Sequence, residues 1–322
     1  MTAKNQDATS LRFDQLTLAP ATLQNLEQLG FAQMTPIQAA SLPVTLAGQD
    51  LIAQASTGSG KTVAFGLPLI ERLQSAGSPS APVQAVILCP TRELADQVTM
   101  EIRRLARARQ NVKVVTLCGG VALRGQTVSL EHGADIVVGT PGRILDHLER
   151  GSLSLAGVNT LVLDEADRML DMGFFDDIAK VVRQCAKDRQ TLLFSATYPE
   201  GIDKLAAQFM RQPQTIQVEA QHSEHKIRQI FFEVAENERL HAVSSILAHY
   251  RPERTLVFCN TKQQCRDVVA VLQAQGLSAL ALYGELEQRE RDQVLVQFAN
   301  RSCSVLVATD VASRGLDVEG LE

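Results

Sequence analysis

"DLIAQASTGSGKT", residues 50–62, decides how the chain folds. Its first six residues read as a strand. Gly58 and Gly60 then permit a tight turn, and Lys61 and Thr62 open a helix. The stretch follows the pattern G-x-x-x-x-G-K-[ST], with Ala55 in the first glycine position. In that arrangement the N–H groups of the turn point inward at phosphate oxygens, and the helix start adds its positive end. Ala55, Ser56, Thr57, Gly58, Ser59, Gly60, Lys61 and Thr62 are therefore candidate nucleotide contacts. Lys61 can reach the outer phosphates, and the Thr62 hydroxyl can ligate Mg²⁺. The competing reading is a plain Gly/Ser-rich strand-to-helix turn.

Outward from this stretch the same alternation repeats. Apolar runs at 83–90, 112–119, 135–140, 160–167, 190–197 and 215–220 are separated by amphipathic stretches such as "LADQVTMEIRRLA" (94–106). This is the signature of a parallel sheet covered by helices on both faces. The pattern restarts after a polar gap, with runs at 229–235, 255–260, 279–284 and 304–310. The reading is an α/β protein of two tandem domains: a disordered N-terminus over 1–10, a first domain over 11–220, a linker at 221–226, and a second, incomplete domain over 227–322. "SAGSPSAP" (75–82) reads as an exposed loop.

"LVLDEADRML" (161–170) ends a buried-looking strand in Asp164, Glu165 and Asp167. Clustered carboxylates repel and are costly to desolvate, so either they reach solvent or a positive group sits there. Magnesium on a triphosphate would be that group. Asp164 is placed to hold it together with Thr62, and Glu165 to orient and deprotonate a water. Catalytic candidates are thus Lys61, Asp164 and Glu165. Taken alone, the acids equally suit a helix start.

With 322 residues, 45% hydrophobic and 21% charged, the chain has the profile of a globular protein of about two domains. Residues 1–10 do not read as a signal peptide, and no apolar run approaches the ~18–20 residues of a membrane span. The expectation is a cytoplasmic protein with no membrane contact. The six cysteines form no CxxC pair and read as reduced thiols, those at 89, 118 and 259 as buried ones. His222 and His225 form an isolated HxxH, better read as a solvated linker than a metal site. A net charge of −5 argues against a broad basic surface but leaves room for a local groove. Arg103, Arg104, Arg107 and Arg109 favour a solvated helix face over a nucleic-acid contact.

At this point the chain resembles the DEAD-box ATP-dependent RNA helicases. The resemblance runs from about Phe13 to the last residue and rests on motifs in order: "GFAQMTPIQ" (30–38), "ASTGSGKT" (55–62), "PTRELA" (90–95), "GG" (119–120), "TPGR" (140–143), "DEAD" (164–167), "SAT" (195–197), "VFCNT" (257–261), Gln288 with Arg291, and "ATDVASRGLD" (308–317). Stretches such as "LCPTRELADQV" and "DRMLDMGF" resemble the bacterial DbpA subfamily, which acts on large-subunit ribosomal RNA.

The resemblance implies two RecA-like domains, ATP and Mg²⁺ as ligands, and structured ribosomal RNA as partner. It implies closure of the domains around both. Gln38 would read adenine through its amide, and Phe31 would stack on the base or serve as core. Pro90, Thr91, Arg92, Gly120, Thr140, Pro141, Gly142 and Arg143 would face the RNA backbone, as would Asn260, Arg291, Thr309 and Asp310. In isolation Thr91 reads equally as a helix cap, and Arg92 or Arg143 as a surface ion pair. Ser195 and Thr197 would couple the two sites, or simply form a strand-end turn. Gly315 and Asp317 would complete the nucleotide site. With 4% aromatics and no Trp, tracking of the backbone is expected rather than reading of bases.

The family pattern continues with a helix bearing H-R-I-G-R-T-x-R, which this sequence does not contain. A fragment is expected from this, with weak hydrolysis and an exposed apolar sheet edge around 304–310. An ATP-driven DNA helicase, a P-loop remodeller and an ATP-gated RNA clamp are the alternatives.

Overall fold

A computed structural model describes residues 11–74, 82–218 and 228–309. The chain divides into two units, Met1–Gln221 and His222–Glu322. The segments expected to be a disordered start (1–10), a loop (75–82, save Pro82) and a linker (221–226) lie outside the described residues, as do Asp310, Gly315 and Asp317.

The first unit contains strands β1 (Leu51–Gln54), β2 (Ala85–Leu88), β3 (Val114–Leu117), β4 (Ile136–Gly139), β5 (Thr160–Leu163), β6 (Gln190–Ser195) and β7 (Gln214–Gln217). They form one sheet in the order β3-β4-β2-β5-β6-β1-β7, with every pairing parallel. Its helices are α1 (Pro20–Gln28), α2 (Pro36–Leu46), α3 (Lys61–Glu71), α4 (Arg92–Leu105), α5 (Leu123–Glu131), α6 (Pro141–Glu149), α7 (Ala166–Asp171), α8 (Phe175–Gln184) and α9 (Glu200–Phe209).

Alternation along the strands sorts the core into two layers. Leu51, Ala53, Ala85, Ile87, Val162, Leu192 and Phe194 pack with α2, α3 and α4 on one face. Ile52, Val86, Leu88, Leu161, Leu163 and Leu193 pack with α6, α7, α8 and α9 on the other. Because successive side chains point to opposite faces, a strand buried on both must be apolar throughout, which explains the continuous runs. The phosphate-loop helix α3 is held hard against α4. A Cβ on Gly66 would come within 2.8 Å of Ile102 and 2.9 Å of Leu105. Phe65 meets Phe194 edge to face at 5.3 Å.

The second unit carries α10 (Arg239–Tyr250), β8 (Thr255–Cys259), α11 (Lys262–Ala274), β9 (Ala279–Leu282), α12 (Gln288–Ala299) and β10 (Val305–Thr309). Its parallel sheet runs β8-β10-β9. Val305 and Val307 pack with α10 and α11, and Leu306 and Ala308 with Phe298 of α12.

Two expectations fail here. The run 229–235 is not a strand: it pairs with no described residue, and Phe231 is 90% exposed. The run is rich in strand-forming residues, but a strand exists only where a neighbour accepts its hydrogen bonds. The run at 304–310 is not an exposed edge either. β10 is central, between β8 and β9, with Val305 to Ala308 buried. Leu306→Ala should therefore cost about 2–5 kcal/mol in the unfolding of this unit, readable by denaturant titration.

The six cysteines are free, five of them buried and Cys259 partly exposed. Among the described residues no helix is long and apolar enough to cross a membrane, and no group of three or more His, Cys, Asp or Glu side chains is placed to hold a metal ion by itself. His222 and His225 lie outside those residues.

Candidate nucleotide site and nucleic-acid face

Parallel strands all end on one edge of their sheet, so the segments that follow them converge there. The strand order then divides that edge in two. β5, β6 and β1 are neighbours and lead into Asp164, Ser195 and Ala55. β3, β4 and β2 are neighbours and lead into Gly120, Thr140 and Thr91. Residues scattered over the sequence thus fall into two contiguous groups.

In the first group, the Ala55 N–H donates to the Ser195 carbonyl at 2.9 Å, tying the turn to β6. Gly58 and Gly60 have φ of 75° and 93°, the left-handed region that favours glycine. A Cβ on Gly60 would also strike the Gln38 amide. The Ser59 hydroxyl donates to the Ser56 carbonyl at 2.7 Å, and Lys61 Nζ reaches across the turn to the Ala55 carbonyl at 3.2 Å. Lys61 is buried, while Thr62 is half-buried and Thr57 exposed.

Gln38 is buried at the start of α2. Its Oε1 accepts from the Thr35 N–H at 2.9 Å, and its Nε2 donates to the Gly60 carbonyl at 3.1 Å. The amide therefore fastens α2 to the glycine turn. A primary amide has two N–H groups and two lone pairs, so one of each remains for a base edge. Phe31 packs against the core and also lines a cleft of about 400 Å³ with Phe13, Leu26 and Gly30.

The three acids do not reach solvent: Asp164, Glu165 and Asp167 are 3%, 4% and 6% exposed. Burial drives the Asp164 carboxyl up to about 6, against the pull of Lys61 and with the push of Glu165. Its Oδ1 accepts the Glu165 N–H at 3.0 Å. Glu165 is also raised by burial, opposed by Arg168, whose Nη1 lies 3.1 Å from its Oε2. Glu165 has φ 52° and ψ 51°, an uncommon backbone for a glutamate, as it turns the chain from β5 into α7.

Asp167 behaves oppositely. Burial raises it, but hydrogen bonds outweigh burial and hold it below the usual carboxylate range. Thr197 donates to its Oδ2 from both N–H and hydroxyl, each at 2.8 Å. Its own N–H donates to Ser195 Oγ at 3.3 Å, and that hydroxyl donates to the Thr197 carbonyl at 2.7 Å. Asp167 thus pins the end of β6 to the start of α7. Replacing it by Ala should cost about 1–3 kcal/mol of stability, measured by denaturant titration at neutral pH.

These groups suit a magnesium nucleotide. Asp164 is a buried carboxylate, raised by burial, that accepts the Glu165 N–H, and Thr62 brings a hydroxyl to the first turn of α3. Hard oxygen donors of this kind match Mg²⁺.

In the second group, Thr91 Oγ1 accepts the Leu94 N–H at 3.3 Å, the capping role that it could also have played on sequence grounds. Arg92 Nε lies 3.5 Å from Asp96, and Arg143 Nε 3.4 Å from Asp146. Thr140 is half-buried before α6, Gly142 is the second residue of that helix, and Gly120 is exposed with φ 77°. Pro90 and Pro141 are buried and offer no surface. In "EIRRLARARQ", Arg103 donates to the Val114 carbonyl at 2.7 Å, and Arg109 to the Leu73 carbonyl at 2.8 Å and to Ile70. These two are tied to backbone rather than solvated.

In the second unit Asn260 is exposed at the end of β8, Thr309 ends β10, and Arg291 of α12 lies 3.5 Å from the Tyr283 carbonyl. Sequence reasoning assigned nothing to Asp167, Arg168 or Gln126. The first two lie inside motifs it quoted, and Gln126 carried no local signal.

A glycine turn between strand and helix, beside buried acids on adjacent strand ends, defines a P-loop nucleotide-binding unit of RecA-like type. A model of the DEAD/DEAH box helicase family matches residues 35–205, and one of the helicase conserved C-terminal domain matches 238–322. The chain belongs to the DEAD/DEAH box helicase family. It is 52% identical over 305 residues to the ATP-dependent RNA helicase DbpA of Escherichia coli, covering 95% of this chain and 66% of that one. It is 41% identical to the crystal structure of a DEAD box protein from Methanococcus jannaschii, at a TM-score of 0.61, with 97% and 83% covered. Against Saccharomyces cerevisiae Dbp5 bound to RNA and ADP BeF3, identity is 28% and the TM-score 0.85, with 97% and 79% covered. The chain thus spans just under two thirds of the length of DbpA.

Proposed function

We propose that this chain acts as an ATP-dependent RNA helicase that remodels or locally unwinds structured RNA, in the cytoplasm and during assembly of the large ribosomal subunit. The observation that carries the reading is the strand order, which gathers the phosphate turn and the acids at β5, β6 and β1, and the Thr/Arg helix starts at β2, β4 and β3.

In this reading the glycine turn and Lys61 receive the phosphates, Gln38 and Phe31 face adenine, and Glu165 orients water and takes its proton. Asp164 and Thr62 would hold Mg²⁺, which neutralises triphosphate charge when bound. Ser195 and Thr197 relay the state of this site through Asp167. Thr91, Arg92, Gly120, Thr140, Gly142 and Arg143 contact the RNA backbone, as do Asn260, Arg291 and Thr309. Asp310 joins that set, and Gly315 and Asp317 the nucleotide set; all three lie outside the described residues.

The test is anisotropy with matched RNA and DNA oligonucleotides, with and without ATP and Mg²⁺, beside a strand-displacement assay. The reading expects nucleotide to tighten RNA binding and not DNA binding. Equal tightening on both would favour a DNA helicase.

A further inference from the structure

Between the Gly119–Gly120 loop and the start of α6 lies a buried bridge. Gln126, on α5, donates from Nε2 to the Cys118 carbonyl at 2.8 Å, immediately before the two glycines. Its Oε1 accepts from Arg143 Nη1 and from His147 Nε2, each at 3.1 Å. Arg143 has only donors, so the orientation of the amide is fixed by its partners. The same Arg143 Nη1 donates to the Val121 carbonyl at 3.1 Å. His147 is fully buried, and burial with the charge of Arg143 lowers its pKa. The neutral ring presents Nε2–H to Gln126 and accepts from Ser152 Oγ at Nδ1, 2.8 Å away. One amide thus joins the loop that follows β3 to the first turns of α6, which follows β4.

We propose that Gln126 is a positioning residue for RNA: its amide sets the spacing between the Gly119–Gly120 loop and the Arg143 guanidinium, so that both meet one backbone together. This rests on the RNA reading of that face. The bridge is far more specific than packing requires. Gln126 uses donor and acceptor at once, on two segments that sequence assigned to the same ligand. The Thr140 N–H donates to the Leu117 carbonyl at 3.1 Å and so ties the two segments where their strands end; beyond that point the Val121 contact and the Gln126 bridge join the glycine loop to Arg143. A loosened guanidinium must be ordered again on binding, which weakens affinity without removing a contact.

The test uses the full chain, a short oligouridylate as RNA probe, a non-hydrolysable ATP analogue and Mg²⁺. Gln126→Met keeps the volume but neither donor nor acceptor. It should lower RNA affinity about tenfold, as lost bridging hydrogen bonds predict, while nucleotide affinity stays within about twofold. In an Arg143→Ala background the same change should add little, because the effect runs through Arg143. Wild-type RNA affinity in Gln126→Met, additivity with Arg143→Ala, or joint loss of RNA and nucleotide binding would each overturn the proposal. Should Gln126→Met not fold, Gln126→Glu keeps the acceptor toward Arg143 and loses the donor toward Cys118; wild-type RNA affinity there would also contradict the bridge. If the unaltered chain binds no RNA, the reading of the face itself fails, which is a separate outcome.

Discussion

Lys61→Ala is expected to weaken binding of ATP with Mg²⁺ by roughly ten- to a hundredfold. Lys61 is a buried cation at the start of α3, and in this structure its ammonium spans the turn to the Ala55 carbonyl. A triphosphate would replace that neutral carbonyl with charged oxygens, and a charge-assisted hydrogen bond is worth about 1.5–3 kcal/mol, with each 1.4 kcal/mol a factor of ten in affinity. Lys61 also lowers the Asp164 carboxyl, so its removal makes ionised Asp164 harder to keep beside the nucleotide. Titration calorimetry on the variant, with a melting curve to show that it is folded, reads the effect. Affinity within about twofold of wild type would show that the phosphates sit elsewhere.

The second large effect concerns Asp164 in the absence of nucleotide and metal. Its carboxyl is raised from the ordinary 3.8 to about 6, chiefly by burial. The folded state therefore holds the proton more tightly than the unfolded chain does. The stability that this supplies is full below pH 3.8, is lost as pH rises toward about 6, and stays lost above it. A shift of about two pKa units corresponds to roughly 3 kcal/mol at 1.36 kcal/mol per unit. Asp164→Asn removes this penalty but also deprives Lys61 of an anion, so the net gain at pH 8 should be about 1–3 kcal/mol. Denaturant titrations in EDTA at pH 8 and pH 4 check it, with the advantage of the variant shrinking at the lower pH. An Asn variant less stable than wild type at pH 8 would contradict the assignment. Asp167 should show the reverse slope, because its hydrogen bonds depress it: its contribution is present at neutral pH and is lost on acidification.

Local pattern carried much of the nucleotide half. The glycine turn needs residues that tolerate left-handed backbone, and Gly58 and Gly60 adopt it. The acids lie where a buried strand ends, which is a property of the run itself. The partners of those groups were less legible. Asp167 bonds to Thr197 across thirty residues, and Gln126 to Arg143 across seventeen. Such links follow from strand order, which no local period encodes. The same reason accounts for the two misread runs of the second unit. Residues 229–235 have the composition of a strand and no strand partner among the described residues, while 304–310 was read as an edge and holds β10, the central strand of its sheet. The arginines of 103–109 show a further limit: charge count marks a basic helix but not which guanidinium is spent on a carbonyl.

The proposed function places a magnesium nucleotide at the edge shared by the buried acids and the lysine-bearing turn. The most direct measurement is calorimetric titration of the unaltered 322-residue chain with ATP, in Mg²⁺ and again in EDTA. The account predicts saturable uptake in Mg²⁺ that weakens sharply in EDTA. A folded chain that takes up no ATP in Mg²⁺ would contradict it.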